Sequence, residues 1–143
     1  MFLKKLSKYA LYIAFLQAWV ATLGSLYFSE IKGLYPCQLC WYQRILMYPL
    51  AIIFAVAIAR KDKNVVYYAL PLSVIGAFIA IYHYLIQWTA LDEINPISCS
   101  LINDCSQKQV VYLGFATIPF FSAAAFLVIT LLMLYLIKFP KIK

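Results

Sequence analysis

Four long stretches of the chain carry almost no charge, and the charged residues gather between and around them. From Lys8 to Glu30 there are 21 uncharged residues, enough α-helix to cross roughly 30 Å of hydrocarbon. A second apolar stretch fits Trp41 to Ala59, a third Val65 to Trp88, and a fourth Val111 to Ile137. Because a bilayer core offers no water to satisfy backbone amides, spans of this length are read as helices. The pattern therefore predicts helices over about 9–28, 41–59, 65–88 and 111–137, which use nearly all of residues 1–143 as a single domain. The expected fold is all-α, an integral membrane four-helix bundle with up-down-up-down topology. The short turn from Lys61 to Asn64 makes the second and third helices antiparallel neighbours.

Composition sharpens this picture. With 66% hydrophobic and 12% charged residues, an ordinary soluble globule is excluded. The first apolar stretch follows Lys4, Lys5 and Lys8 as a secretory signal would, but it is longer than a signal core and is expected to stay as a transmembrane helix. The net charge of +7 has to be read by position. Lys4, Lys5 and Lys8, then Arg60, Lys61 and Lys63, then Lys138, Lys141 and Lys143 account for nine of the twelve cations. The other two connections hold Lys32 and Lys108 and four of the five acids, Glu30, Asp92, Glu93 and Asp104. The positive-inside rule then puts both termini in the cytoplasm and the two remaining connections outside. Read this way, the basic clusters are topology signals in a lipid bilayer, and no nucleic-acid partner is expected. Trp41 and Trp88 sit where helices two and three meet the outer headgroups. Pro49, Pro71 and Pro119 are read as sites of helix bending or starting.

The chain's four cysteines all fall in the two outer connections. Cys37 and Cys40 form a Cys-x-x-Cys pair that opens helix two; Cys99 and Cys105 lie in a polar loop from Thr89 to Gln109. Thiols outside the cytoplasm are expected as disulfides. Four cysteines allow three connectivities, of which the short spacings and separate loops favour Cys37-Cys40 and Cys99-Cys105. Rings this small stabilise a fold by only roughly 2 kcal/mol each, so the pairs suit redox exchange better than stapling. Two dithiols on one face suggest electron transfer between them.

A helix N-terminus and a nearby cation both favour a thiolate, and Cys40 has both, since Arg44 follows four residues later on the same helical face. A cation one turn below the membrane surface is costly unless it serves a site. Repeated oxidation of partner thiols releases electrons that cysteines alone cannot dispose of. The single His83 and the lack of Cys-x-x-Cys-His argue against covalent haem. A membrane quinone, menaquinone or ubiquinone, reaching the bundle from the bilayer fits the location, with Arg44 stabilising its developing negative charge. His83 and Gln87 lie one turn apart near the outer end of helix three, and are candidates for the same headgroup.

The run Cys37-Gln38-Leu39-Cys40-Trp41-Tyr42-Gln43-Arg44, continuing Ile45-Leu46-Met47-Tyr48-Pro49, resembles the bacterial disulfide bond formation protein B family, and most of all its short BdbC-type members. Gly24-Ser25-Leu26-Tyr27-Phe28-Ser29-Glu30 and Ile118-Pro119-Phe120 extend the resemblance over nearly the whole chain. It implies a quinone-dependent protein-disulfide oxidoreductase of the bacterial cytoplasmic membrane, which reoxidises an extracytoplasmic thioredoxin-like thiol oxidase and so supports disulfide formation in secreted proteins. By the family pattern the partner's thiolate attacks Cys99, the released Cys105 attacks Cys37, and Cys40 leaves as a thiolate that passes electrons to quinone. Only five residues separate Cys99 from Cys105, fewer than in better-known members of the family.

Two other readings use the same residues. A vitamin K epoxide reductase-like enzyme also combines a four-helix bundle with loop cysteines, but there the loop pair precedes the Cys-x-x-Cys. A four-cysteine zinc-binding membrane protein would use the thiolates as tetrahedral ligands, against which stand the oxidising compartment and the wider second spacing. No metal ligands are assigned on the sequence.

Overall fold

The computed structural model describes residues 2–89, 108 and 110–139, with side chains described from Tyr9 onward. Four helices form the bundle: α1 Phe2–Leu26, α2 Gln38–Arg60, α3 Val65–Trp88 and α4 Ile118–Lys138. All four are long and apolar enough to cross a membrane. Each helix packs on its neighbours in sequence and α1 closes the ring against α4. The beginning of α1 and the end of α4 therefore share one end of the bundle.

Between membrane helices the lipid removes most of the hydrophobic drive, so association depends on close packing and interhelical polar contacts. Small residues supply the closeness. Ala10, Ala14, Ala18 and Thr22 recur every fourth residue on α1 and are all buried. On α3 the buried stripe includes Ala69, Ser73, Gly76, Ala77 and Ala80. Gly76 is required by contact: a Cβ there would overlap the side-chain ring of Phe126 on α4, itself fully buried. One turn away, Thr130 Oγ1 lies 3.0 Å from Ser73 Oγ, a polar link between the same two helices.

Helix ends explain where the elements stop. α1 runs into a π-helical turn, Tyr27–Ile31, whose wider hydrogen bonds continue to Lys32 N–H on the Tyr27 carbonyl. α2 ends with Lys61 in the left-handed region (φ 52°), so that Asp62 N–H reaches the Ala57 carbonyl at 2.9 Å and Lys61 N–H the Ile58 carbonyl at 3.3 Å. This is a Schellman closure made without glycine. Asp62 then accepts from the backbone of Asn64 and from the hydroxyl of Tyr68. The Tyr68 hydrogen bond is the main reason the Asp62 carboxyl is held below its ordinary value.

The start of the fourth helix differs from the sequence expectation. Val111–Tyr112 and Ala116–Thr117 form a two-stranded antiparallel hairpin, with Val111 opposite Thr117 and Tyr112 opposite Ala116, and α4 begins only at Ile118. Leu113 (φ 56°) and Gly114 (φ 81°) turn the chain through the left-handed region, which a helix cannot include. Short apolar runs look alike as strand or helix, so hydropathy alone merged the hairpin with the span. Pro119 falls in the first turn of α4, where an N–H would have had no helical partner. The Tyr84 hydroxyl donates to the Phe115 carbonyl at 3.3 Å and ties the hairpin to α3.

Candidate active site

At one end of the bundle a second, smaller apolar cluster surrounds the Cys-x-x-Cys pair: Cys37, Leu39 and Ile86 are buried, with Cys40, Ile79 and Tyr82 packed against them. Cys37 is the N-cap of α2, in extended conformation (φ −71°, ψ 172°), after Pro36. Its carbonyl accepts from Trp41 N–H at 3.1 Å. Cys40 completes the first turn, so both sulfurs lie at the positive end of the helix dipole.

The two sulfurs stand 3.2 Å apart, not covalently bonded. Cys37 is 5% exposed, whereas Cys40 is only half-buried. His83, 2% exposed on α3, brings Nε2 to 3.6 Å from Cys37 Sγ, and its Nδ1 lies 3.0 Å from Nε2 of the buried Gln43 on α2. An amide N–H2 donating to Nδ1 leaves the ring proton on Nε2, aimed at sulfur. The Cys37 thiol is lowered to about 4, chiefly by the hydrogen bond with Cys40; burial opposes the shift, and the hydrogen bond with His83 reinforces it.

Arg44 is turned to α1. Its guanidinium donates to the Ser25 carbonyl at 3.0 Å and packs 5.5 Å from the centre of the Trp41 ring. Ser25 also contacts the Tyr48 hydroxyl at 3.5 Å. The cation is thus tethered one turn beyond Cys40, half-buried, beside an exposed indole.

The structure thereby separates roles that the sequence reading grouped. His83 is drawn onto the sulfur of Cys37, across from Gln43, and Arg44 is anchored to α1. Gln87 is half-buried, one turn beyond His83. Gln43 is the site residue that sequence reasoning missed, although it lies within the quoted motif. The available signal was a neutral amide inside an apolar span, which calls for a polar partner on a neighbouring helix.

Cys99 and Cys105, with Asp92, Glu93 and Asp104, lie outside the described residues. The segment that carries them leaves the described structure at Thr89 and is rejoined at Lys108, whose ammonium sits 3.6 Å from the centre of the Trp88 ring. Both connections thus join the bundle at the end of α3 that packs on Cys37.

Comparison with known proteins finds relatives along most of the chain. The family model for disulfide bond formation protein DsbB matches residues 7–136. A probable disulfide formation protein C 1 of Bacillus anthracis is 42% identical over 135 residues, covering 94% of this chain and 96% of its own length. The disulfide bond formation protein C of Bacillus subtilis is 48% identical over 124 residues, 86% of this chain and 88% of that protein. A probable disulfide formation protein of Coxiella burnetii is 42% identical over 132 residues, 91% of this chain and 88% of its own. No solved structure matches. A dithiol capping one of four membrane-spanning helices, and a match that runs through all four, place the chain in the disulfide bond formation protein B family of multi-pass membrane oxidoreductases.

Proposed function

We propose that this protein is a membrane thiol oxidase that reoxidises an extracytoplasmic thioredoxin-like protein and delivers the electrons to a membrane quinone. The observation that carries the reading is the asymmetry of the Cys37-Cys40 pair. Cys37 is buried against His83, while Cys40 is half-buried beside a tethered cation.

The residues present suit a planar, lipid-soluble acceptor. Cys40 offers a sulfur partly open to the outside, Arg44 a fixed positive charge one turn on, and Trp41, Tyr42 and Ile45 an exposed apolar surface along the start of α2. A quinone there would supply a two-electron, two-proton sink, held by Cys40 and Arg44.

The chain's own residues account for the thiol chemistry. In the exchange order implied by the family, Cys105 attacks Cys37 and the Cys40 sulfur leaves as a thiolate, on the side where Arg44 compensates charge. When Cys37 is later released as a thiolate, His83 beside it supports that charge, and closure of the Cys37-Cys40 disulfide would hand the pair's two electrons to the acceptor. Each turnover makes one disulfide in the partner, and two electrons and two protons leave with the acceptor. The Cys99-Cys105 pair acts as the relay between partner and Cys37. Both cysteine pairs face outward in this reading and both termini face the cytoplasm, as the distribution of Lys and Arg requires.

The test is quinone reduction by the purified protein supplied with a reduced thioredoxin-like substrate. Cys40→Ser abolishes turnover and Arg44→Ala weakens it. Absence of quinone reduction with both menaquinone and ubiquinone analogues would sink the oxidase reading.

A further inference from the structure

The cluster that serves thiol exchange is also a set of soft metal donors, and we infer that its reduced form binds a single zinc ion through Cys37, Cys40 and His83. The two sulfurs and an imidazole nitrogen all lie within 4.8 Å of one another. Tetrahedral zinc, with Zn–S near 2.3 Å and Zn–N near 2.05 Å, needs about 3.8 Å between two sulfurs and about 3.6 Å between sulfur and nitrogen. The Cys37 sulfur and His83 Nε2 stand at 3.6 Å. The sulfurs, at 3.2 Å, have to open slightly. Cys40, half-buried in the first turn of α2, is the less buried of the two cysteines and gives the ion its way in.

Gln43 completes the site as the outer partner of the histidine. A metal-bound imidazole keeps its proton on the other nitrogen and donates it to an acceptor. Gln43 stands 3.0 Å from His83 Nδ1, and rotating its amide presents Oε1 to an Nδ1–H. Binding then releases to solvent the protons remaining on the two sulfurs, while the single imidazole proton moves from Nε2 to Nδ1; the ring stays neutral. No electron moves. Three protein ligands leave a fourth position for water or a small anion.

Zinc held this way occupies both sulfurs that must join as a disulfide. The consequence for regulation rests on the proposed function: zinc would arrest the oxidase in its reduced state, and only the dithiol, not the disulfide, would be sensitive.

The experiment is a zinc titration of the full-length Cys99→Ser/Cys105→Ser protein against a chromophoric chelator, in the reduced and in the disulfide form, repeated with cobalt to look for thiolate-to-metal absorption. One zinc per chain is expected in the reduced form, with thiolate-to-cobalt bands and binding at least about a hundredfold weaker once the disulfide is closed. His83→Ala is expected to weaken binding at least about tenfold. The comparison of reduced and disulfide forms keeps His83 in place, so it does not depend on how the His83→Ala variant folds. Equal binding by the reduced and disulfide forms, or unchanged binding in a folded His83→Ala protein, overturns the inference. The titration needs neither quinone nor partner, so its failure leaves the oxidase reading intact, and zinc binding without quinone reduction would count against that reading alone.

Discussion

Removing the hydrogen-bond partners of Cys37 one at a time tests the central geometry. The Cys37 thiol is lowered from 9.0 to about 4, first by the Cys40 hydrogen bond and, against the cost of burial, by His83. Cys40→Ala is therefore expected to raise the Cys37 midpoint more than His83→Ala does, and both above the reduced parent. The sign follows from the acid's lowered value: its stabilising contribution to the reduced protein is present above the unfolded thiol's pKa and is lost as pH falls through about 4. Rate alone is a poor readout. A thiol of ordinary pKa is about 1–3% thiolate at pH 7, but thiolate nucleophilicity falls with pKa with a Brønsted slope of about 0.4–0.5, so a shift of this size nearly cancels in an alkylation rate. The midpoint does not cancel. The assay is thiolate ultraviolet absorbance against pH in the Cys99→Ser/Cys105→Ser background, confirmed by mapping alkylation to Cys37. A parent midpoint near that of a free thiol refutes the reasoning, as does a larger shift in His83→Ala than in Cys40→Ala.

Two further predictions concern the bundle. Gly76→Ala forces a Cβ into the Phe126 ring and is expected to cost about 1–3 kcal/mol in detergent unfolding, outweighing the roughly 1 kcal/mol that alanine gains over glycine in a helix; Phe126→Leu should restore part of the loss. Lys61→Gly relieves a left-handed residue at the end of α2 and is expected to stabilise the protein by roughly 0.5–1 kcal/mol in the same assay, whereas Lys61→Ala is expected to leave it nearly unchanged.

The order and number of helices were legible because a bilayer imposes a length and forbids charge, a constraint that any run such as Val65 to Trp88 meets openly. The placing of Cys37, Cys40 and Arg44 within two turns at the start of one helix was legible too, since spacing along a helix is local. What could not be read was anything depending on which helix faces which. Val111 to Thr117 reads as part of a span until backbone pairing and the left-handed Leu113-Gly114 corner separate it. Arg44 could have turned toward any neighbour; contact with α1 gave it the Ser25 carbonyl. His83 and Gln43 are 40 residues apart, and only the packing of α2 on α3 makes one the hydrogen-bond partner of the other and both the setting of Cys37. By itself, then, the sequence determined a four-span membrane dithiol protein, because hydrophobic length and local spacing act within one helix. Packing of α2 on α3 set which cysteine is buried and which half-buried, because that depends on surfaces meeting between helices.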